Sequence, residues 1–505
     1  MNRRTFVYQL PVLTAASLLP KVAFASDQNR RYVRYISQEI EYPKVIFPVE
    51  KRIPLRLTAF PIPSSASTEP VTRLLFPRID HSSKPVYFRL TAAIDFREEK
   101  TIRVYLPESG QDIGVLDIKY AYPFQPFQVV IDPKWLSEVS RQGIALAMIK
   151  GTRPPWFFQP ATLPSDATGL SPQLLVRERP GSEKEFLRTL CSMNSLSPFG
   201  WMGGCVQDAL YELRRNGNSQ ASQTLQTQLS YYLDEKYGII LESPRTQPLD
   251  GTFNSIEDFL PFAAIVNLYP HHPAIQKAVD FCLDRSNDRG IILAGEHITT
   301  EGCYTVAYPL ATIAQIRKDA ALAQKAVDQL LFRHQYLINN NAVYQRATLE
   351  GKRAFCNWGR GVAWYLLGTV KTLRILQGSS FDLPDLDEVR STFVATVQMV
   401  SQWKNSDNLW YAFLDQPQTK IDTSASAGIA AAIVWGHRLG VLPKAYLYSA
   451  KATYRSLQKY LTPDGFLTQI TQINRGGEAL QRGGYRVIAQ FGMGLMGQLK
   501  AALEA

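Results

Sequence analysis

The sequence contains little cysteine, and its cysteines follow no metal-binding pattern. Only five of the 505 residues are cysteine, none forms a Cys-x-x-Cys pair, and no group of cysteine and histidine has the spacing of a zinc site. These absences argue against a structural zinc site and against a fold stapled by disulfides. Because five is odd, at least one thiol is free or bonded to another chain, and a Cys191–Cys205 disulfide is left open.

Dense runs of lysine and arginine are also missing. The net charge is +11, and three of the positive charges come from Arg3, Arg4 and Lys21 near the N-terminus. A mild basic excess spread over a long chain suits an acidic ligand, but it lacks the concentrated basic patches of nucleic-acid-binding proteins. We therefore expect an acidic ligand and no nucleic-acid partner.

Long apolar runs are absent after residue 25, so no segment there is expected to span a bilayer. The first 25 residues differ. Arg3-Arg4 precede Phe6 and a short apolar run, and Ala23-Phe24-Ala25 offers a small-x-small cleavage site. This order predicts an export signal over residues 1–25, of the twin-arginine type. A general secretory signal or an uncleaved anchor is the alternative. The protein is expected to be periplasmic or secreted, without stable membrane insertion.

Residues 26–178 have a strand-like pattern. Short β-rich runs such as YFRLTAAIDF, TIRVYL and FQVVID are separated by segments rich in Pro, Gly, Ser and Asp. The pattern predicts an antiparallel, all-β sandwich-like domain. The proline-rich stretch from Arg153 to Pro172 is interpreted as its exit or as a linker. Its aromatic segment PWFFQP forms no organised platform, which favours a bracing role over carbohydrate binding.

From Glu183 onward the period of the apolar residues becomes helical. Twelve helices are predicted, over residues 183–193, 202–215, 219–236, 254–269, 273–286, 303–318, 320–338, 358–377, 386–404, 423–439, 443–460 and 485–503. They recur in pairs at a spacing of ~50–65 residues, as repeated helical hairpins do. One member of each pair is rich in Gly, Ala and aromatics, which suits crowding around a shared axis. Six such pairs predict an all-α (α/α)6 barrel over residues 183–505, without strands of consequence.

The loops that precede the predicted inner helices collect side chains suited to sugars. They carry Phe199-Gly200-Trp201, Asn254–Asp258, Thr300–Tyr304, Asn357–Trp364 and Asp422–Ser426. Aromatic faces stack on sugar rings, and charged groups fix ring substituents. One end of the barrel is therefore predicted to hold a carbohydrate pocket. Asp422 or Thr423 is expected to cap the fifth inner helix.

Four segments resemble a known enzyme family. NWGRGVAWYLLG (357–368) resembles the WGRGNGW or WARGQAW motif of the unsaturated uronyl hydrolases, glycoside hydrolase families 88 and 105. Three more segments resemble family stretches in the same order: SIEDFLPFAAIVNLY (255–269), EGCYTVAYPLA (301–311) and DNLWYAFLDQPQTKIDTSASAGIAAAI (407–433). The resemblance covers about residues 195–503 and is closer to the rhamnogalacturonyl branch.

The resemblance implies an activity. The family removes a Δ4,5-unsaturated uronic acid from oligosaccharides that polysaccharide lyases leave behind. In the implied mechanism a carboxylic acid protonates C4, water adds at C5, and the hemiketal collapses to release the next sugar. One general acid/base suffices, ideally with a pKa raised by burial. Neither a metal nor another cofactor is implied.

Matching the motifs assigns candidate site residues. The family's proton donor corresponds to Glu301, and a second family carboxylate corresponds to Glu257 or Asp258. The substrate-binding candidates are aromatic and cationic rim residues, namely Trp201, Trp358, Arg360, Trp364 and Trp410. Among the tryptophans Trp358 is the preferred stacking platform, and Trp364 is expected to belong to the core. Arg360 either forks the uronate carboxylate or pairs with a neighbouring loop.

The chain also departs from the family pattern. Glu301 replaces an aspartate, one residue is inserted before Pro309, Val362 stands where Asn or Gln is common, and the family's histidine is missing from VYQRATLEG (343–351). These departures motivate an alternative, a catalytically weak or inactive glycan-binding protein on the same barrel. Another reaction, such as sugar epimerisation, agrees with the fold alone. The sequence does not indicate an oligomeric state.

Overall fold

The N-terminal part of the protein is built from antiparallel strands. The computed structural model describes residues 31–66, 70–80 and 82–505, so the predicted export signal, residues 1–25, lies outside the described residues. The strands are β1 (Tyr32–Ile36), β2 (Glu39–Glu41), β3 (Ala59–Pro61), β4 (Thr72–Leu75), β5 (Val86–Thr91), β6 (Glu99–Tyr105), β7 (Asp112–Lys119), β8 (Pro126–Ile131), β9 (Ile144–Lys150), β10 (Trp156–Phe158) and β11 (Gln173–Arg177).

These strands form two larger sheets. One has the order β1-β11-β5-β8 and the other the order β2-β4-β9-β6-β7, while β10 pairs with β3. In β6 the even positions, including Ile102 and Val104, are buried and the odd positions are partly exposed, as expected for a sheet with one face on a core. The β-rich character that the sequence predicts for this part is therefore observed.

Helices dominate the rest of the chain. A short helix, α1 (Leu136–Gln142), lies among the strands, and the others are α2 (Glu183–Leu190), α3 (Trp201–Arg215), α4 (Ser219–Ser230), α5 (Phe262–Leu268), α6 (Ala274–Leu283), α7 (Tyr308–Arg317), α8 (Ala320–Leu337), α9 (Gly359–Leu376), α10 (Leu386–Ser401), α11 (Thr423–Arg438), α12 (Lys444–Leu457), α13 (Gly477–Arg482) and α14 (Gln490–Glu504). Each of the twelve predicted helices has a counterpart among them.

Six of the helices form a closed ring. Contacts run from α3 to α5, α7, α9, α11 and α14, and from α14 back to α3, while α4, α6, α8, α10 and α12 pack outside their neighbours. Close approach needs small residues: a Cβ on Gly368 of α9 would lie 2.2 Å from the carbonyl carbon of Cys303. This ring is the inner wall of an (α/α)6 barrel, as the helix pairing predicts.

The structure differs from the sequence prediction at several helix starts. Residues Ile256–Phe259 form a 3-10 turn ahead of α5, and Cys303–Ala307 form a π-helix ahead of α7. The last inner helix begins at Gln490 because Arg486–Val487 pairs instead with Ile470–Thr471. The expectation of no consequential strand in this half is wrong, since Ala342–Ala347 and Arg353–Cys356 form a hairpin.

Buried ion pairs join the strands to the barrel. Asp464, after α12, accepts hydrogen bonds from Arg89 of β5 and Arg34 of β1, each at 2.8 Å, and the side chains of Asp464 and Arg89 are completely buried. Residues Arg31–Ala505 form one compact unit. The loops of the sheets are therefore held against the barrel, where they can line a site.

Two further observations answer expectations from the sequence. All five cysteines lie in the described part and are free, so Cys191 and Cys205 do not pair. Among the described residues, no helix has both the length and the apolar character needed to cross a membrane.

Candidate active site

A cavity of about 260 Å³ lies where the first turns of the inner helices meet loops from the sheets. Seven of the eight predicted site residues line it: Trp201, Glu257, Asp258, Glu301, Trp358, Arg360 and Trp364. The sheets contribute Asp95, Phe96, Arg97, Ala121, Tyr122 and Pro123. The cavity thus has five carboxyl-bearing residues in its lining, Asp95, Glu242 and the three predicted ones, Glu257, Asp258 and Glu301, together with aromatic walls and cationic side chains.

Trp410 is the predicted site residue that the structure places elsewhere. Its side chain is completely buried, and its indole N–H donates to the carbonyl of Val400 at 2.8 Å. It does not line the cavity, so it has no face to offer a sugar there. The assignment of Trp410 to substrate binding is corrected: it is a core residue that fixes the loop before α11.

Asp258 acts as a helix-capping residue. One of its carboxylate oxygens accepts the backbone N–H groups of Asn254 (2.6 Å) and Ser255 (3.1 Å), and Ser255 completes a capping box. Burial raises the pKa of Asp258 to about 6, although these two N–H groups act in the opposite direction. Its hydrogen bonds hold the first turn and leave it less free to react than its neighbour.

Glu257 is the least satisfied of the three carboxyl groups. Its side chain accepts no hydrogen bond from any described residue and faces the cavity. Burial, and then the neighbouring charges of Glu301 and Asp258, raise the pKa of Glu257 to about 8. A carboxylic acid with that pKa is protonated at neutral pH and can donate a proton to a bound ligand.

Glu301 is held by a residue that the sequence did not single out. Gln345, on the hairpin strand Ala342–Ala347, donates its amide N–H to both carboxylate oxygens of Glu301 at 2.9 and 2.8 Å. Burial raises the pKa of Glu301, and the Gln345 amide opposes that shift. Gln345 lies in the segment where the family histidine is missing. Its hydrogen bonds stabilise the ionised form of Glu301, whereas the Glu257 carboxyl group has no such donor among the described residues.

The residue inserted before Pro309 is accommodated next to Glu301. The π-helix Cys303–Ala307 begins two residues later and continues directly into α7. A π-turn holds one more residue than an α-turn, and such turns occur often at functional sites. Glu301 lies at the cavity and α7 follows in helical register, so this turn can hold the extra residue that the resemblance implies before Pro309.

Arg360 has a structural role. Its guanidinium donates to the carbonyls of Thr471 and Gln472, both at 2.8 Å, and lies 3.8 Å from a carboxylate oxygen of Asp422. Asp422 itself caps α11 by accepting the N–H of Ser424, as one of the sequence alternatives had it. Burial lowers the pKa of Arg360, and the Asp422 charge opposes this shift. Arg360 thus secures the cavity wall and adds positive charge to it.

The three cavity tryptophans differ in exposure. Trp201 is partly exposed, whereas Trp358 and Trp364 are 2% and 3% exposed. Trp364 stacks on Tyr304 with ring centroids 5.8 Å apart, and the guanidinium carbon of Arg360 lies 4.5 Å from the Trp358 ring. Trp201 therefore offers a ring face to a ligand, and the preference for Trp358 as the stacking platform is corrected. Gly359 lets the start of α9 approach the backbone of Tyr411, since a Cβ added at this position would lie 2.7 Å from the Tyr411 carbonyl oxygen.

Sequence reasoning missed the residues that the loops of the sheets and a distant loop contribute. Tyr122, Arg97 and Arg475 line the cavity, and the hydroxyl of Tyr122 is buried without a hydrogen-bond partner among the described residues. An aromatic residue in the turn AYPFQPF was the available signal, but its partner Phe491 lies far along the chain. No group of three or more His, Cys, Asp or Glu in the described part is arranged to hold a metal ion.

Comparison with known proteins relates the helical part to glycoside hydrolases. Residues 300–503 match the model of Glycosyl Hydrolase Family 88. A stretch of 142 residues is 25% identical to the unsaturated rhamnogalacturonyl hydrolase YesR of Bacillus subtilis (strain 168). That stretch covers 27% of this chain and 38% of the relative, so well under two thirds of the relative is matched.

Solved structures share the fold of this chain. A possible member of the GH105 family from Salmonella enterica serovar Paratyphi A has a TM-score of 0.54 at 16% identity, over 61% of this chain and 83% of that one. A glycoside hydrolase of family 105 from C. acetobutylicum has a TM-score of 0.52 at 16% identity, over 61% and 95%. Residues 300–503 therefore resemble Glycosyl Hydrolase Family 88, and the fold matches that of solved structures from glycoside hydrolase family 105.

Proposed function

We propose that this protein is a glycoside hydrolase that removes an unsaturated uronic acid from lyase-generated oligosaccharides by hydrating its vinyl ether. The observation that carries the proposal is the pairing of Glu257 and Glu301 in one enclosed cavity. Glu257 is a protonated acid at neutral pH. The Gln345 amide donates to both oxygens of Glu301 and so stabilises its ionised form against the effect of burial. An acid and a base side by side are what the addition of water across a polarised double bond requires.

The proposed reaction proceeds in three steps. Glu257 donates its proton to C4 of the Δ4,5 double bond, and positive charge develops at C5. Glu301 takes a proton from the water that adds to C5, so one water molecule is consumed and a hemiketal forms. The hemiketal opens, and the next sugar leaves with its hydroxyl restored. Glu301 is buried and Glu257 is half-buried in this cavity, and charges there interact more strongly than in bulk water.

The other lining residues would position the ring. Trp201 offers an aromatic face for stacking, and Arg360 and Arg475 supply positive charge for the uronate carboxylate. Glu301 and Glu257 each carry one methylene more than aspartate, which shifts a carboxyl group by about 1 Å, a displacement that affects rates strongly. The pair of glutamates would therefore suit a ring placed slightly differently from that of a relative with aspartates.

Absorbance measures this activity directly, because hydration destroys the conjugated double bond. Mixing the protein with lyase-generated pectin or glycosaminoglycan fragments should lower the absorbance of the unsaturated uronide. Glu301→Gln should slow the loss by about 10²–10⁴-fold, the usual contribution of a general acid or base. Glu296→Gln, at an exposed glutamate of the same loop, is the matched control and should leave the rate unchanged.

If the protein only binds glycans, mixing it with the same fragments should leave their absorbance unchanged. Folded protein that binds these fragments in a calorimetric titration, yet never lowers their absorbance, would establish binding without turnover and reject the hydrolase. Turnover that Glu301→Gln leaves intact would reject the assigned carboxyl pair while keeping the activity.

We also propose that the protein is exported to the periplasm or secreted, with residues 1–25 as a twin-arginine signal. The support is the order of paired arginines, apolar run and cleavage site. Replacing Arg3 and Arg4 with lysine should retain the full-length chain in the cytoplasm, as cell fractionation and intact mass would show. Unchanged export of that variant would argue for the general secretory route.

We further propose that the two sheets pack face to face as a β-sandwich. A Cβ on Gly114 of β7 would lie 3.1 Å from the side chain of Val129 of β8, so the two sheets touch here, which supports this arrangement. Crystallography of the full-length protein would test it, and sheets whose apolar faces point apart would contradict it.

A further inference from the structure

A groove of about 780 Å³ continues from the mouth of the cavity. The groove and the cavity share Arg97, Ser243, Pro244 and Arg475, so the two spaces are contiguous. Arg245 lines the groove but not the cavity. We call this space the arginine groove, because Arg97, Arg245 and Arg475 surround it.

Two of the three arginines have no anionic partner. The side chains of Arg245 and Arg475 are exposed and form no ion pair or hydrogen bond with any described residue. Arg97 is fixed in place, since it donates to Asp95 at 2.9 Å and to the carbonyl of Pro244 at 2.8 Å. Partial burial of the guanidinium lowers the pKa of Arg475; the positive charges of Arg97 and Arg245 act in the same direction, and the charges of Asp95 and Glu257 oppose them, so the three cations lie close enough to interact.

Apart from Glu257, which is protonated at neutral pH, the carboxyl groups that lie closest to these arginines are already paired. Asp95 forms ion pairs with Lys51 and Arg97 and accepts the hydroxyl of Thr246. Glu50, the acidic residue among the described residues that line the groove, lies 3.7 Å from Arg153. The arginine groove therefore presents an excess of positive charge with free guanidinium donors, which anionic oxygens satisfy well.

The size of the cavity determines what reaches the groove. At about 260 Å³ it is smaller than the roughly 300–1,000 Å³ of sites that enclose drug-sized ligands, so it has room for one sugar ring. The rest of an oligosaccharide must leave through the mouth. The shared lining residues place that exit along the arginine groove.

We propose that the arginine groove binds a second anionic group, a carboxylate or a sulfate, on the sugar attached to the unsaturated uronate. This inference rests on the proposed function for the ring in the cavity. It makes the β-rich part, through Arg97, a determinant of substrate choice as well as a brace. Substrates with a charged second sugar are then preferred over those with a neutral one.

Calorimetric titration of the Glu257→Gln protein tests the proposal without turnover. The probes are three lyase-generated disaccharides: unsulfated chondroitin disaccharide, its monosulfated form, and unsaturated digalacturonate. The two with an anionic second sugar should bind at least about tenfold more tightly than the unsulfated one, as one charge-assisted hydrogen bond allows. Which of the two binds better distinguishes sulfate from carboxylate as the natural group.

Variants assign the preference to the groove. Arg245→Ala should remove the tenfold preference and leave binding of the unsulfated disaccharide unchanged, because Arg245 lines the groove but not the cavity. Arg475→Ala should weaken all three ligands, because Arg475 also lines the cavity. Arg188→Ala, at an exposed arginine without an ion pair on α2, is the matched control and should behave as the parent protein.

The outcomes separate the two proposals. Equal binding of all three disaccharides, or a preference that survives in Arg245→Ala, overturns the arginine groove whether or not the wild-type protein hydrolyses them. A preference that depends on Arg245, together with no loss of unsaturated absorbance by the wild-type protein, keeps the groove and rejects the hydrolase. Added salt should reduce the preference, since the groove is open to solvent.

Discussion

Glu257→Gln should abolish turnover of unsaturated oligosaccharides and at the same time make the protein more stable. Loss of the proposed proton donor is expected to lower kcat/KM by about 10²–10⁴-fold. The same substitution removes a half-buried carboxyl group that accepts no hydrogen bond from any described residue, and burying such a group without partners is costly. A gain of about 1–2 kcal/mol in the free energy of unfolding is expected at neutral pH. Steady-state kinetics and urea denaturation measure the two effects.

The pH dependence of both effects follows from the raised pKa. In the folded protein the pKa of Glu257 is about 8, against an ordinary value of 4.5. Between these values the folded state holds a proton that the unfolded state has lost, so rising pH costs the wild-type protein stability. The advantage of Glu257→Gln should therefore be absent near pH 4, grow up to about pH 8, and stay constant above it. Wild-type activity should fall as pH rises through about 8.

A matched variant distinguishes this behaviour from a general effect of lost charge. Glu235 is an exposed glutamate outside the cavity lining, and Glu235→Gln should change neither kcat/KM nor the pH dependence of stability. A Glu257→Gln protein that is less stable than wild type at pH 8, or that keeps its turnover, would show that Glu257 is an ordinary structural residue. Such a result would leave Glu301 as the general acid.

The sequence located the carboxyl groups of the proposed site only to within one residue. Glu257 and Asp258 are neighbours at the start of a predicted helix, and both are plausible first-turn acids. Their roles separate because Ile256–Phe259 is a 3-10 turn with a capping box, in which the Asp258 side chain folds back on the backbone and Glu257 faces the cavity. Helical periodicity does not distinguish a 3-10 turn from an α-turn, so the assignment had to come from the hydrogen bonds.

Local patterns predicted the barrel well, because each inner helix carries its own small residues within a helical period of apolar ones. The cavity wall could not be predicted in the same way. Tyr122 and Arg97 come from the sheets, and their partners in the barrel are separated from them by well over a hundred residues. Trp410 illustrates the converse: its motif resembles a site segment, but its indole N–H has a partner in the core. The positions of these side chains depend on burial and on contacts with residues that are distant in the sequence, which local patterns do not encode.

The attachment of the β-rich part is expected to control both stability and the cavity. Asp464→Asn removes the charge that the buried Arg89 and the partly buried Arg34 share, since Asp464 accepts hydrogen bonds from Arg89 at 2.8 and 3.1 Å and from Arg34 at 2.8 Å. Breaking a buried ion pair leaves cations without a partner, and a loss of about 2–4 kcal/mol in the free energy of unfolding is expected. Urea denaturation at neutral pH measures it, and Asp407→Asn, at an exposed partner of Lys459, should cost less than about 0.5 kcal/mol.

The pH dependence identifies charge as the cause. The Arg89 and Arg34 charges hold the pKa of Asp464 at about 2, against an ordinary value of 3.8, although burial acts against them. The stability that the ion pairs contribute is therefore fully present above about pH 4 and lost as pH falls through about 2, so the gap between wild type and Asp464→Asn should narrow there. A gap that is absent at neutral pH, or that does not narrow in acid, would mean that packing rather than charge joins the two parts. Because β5 also leads into the loop that carries Asp95 and Arg97, Asp464→Asn should loosen the arginine groove, and its preference for a charged second sugar should weaken together with its stability.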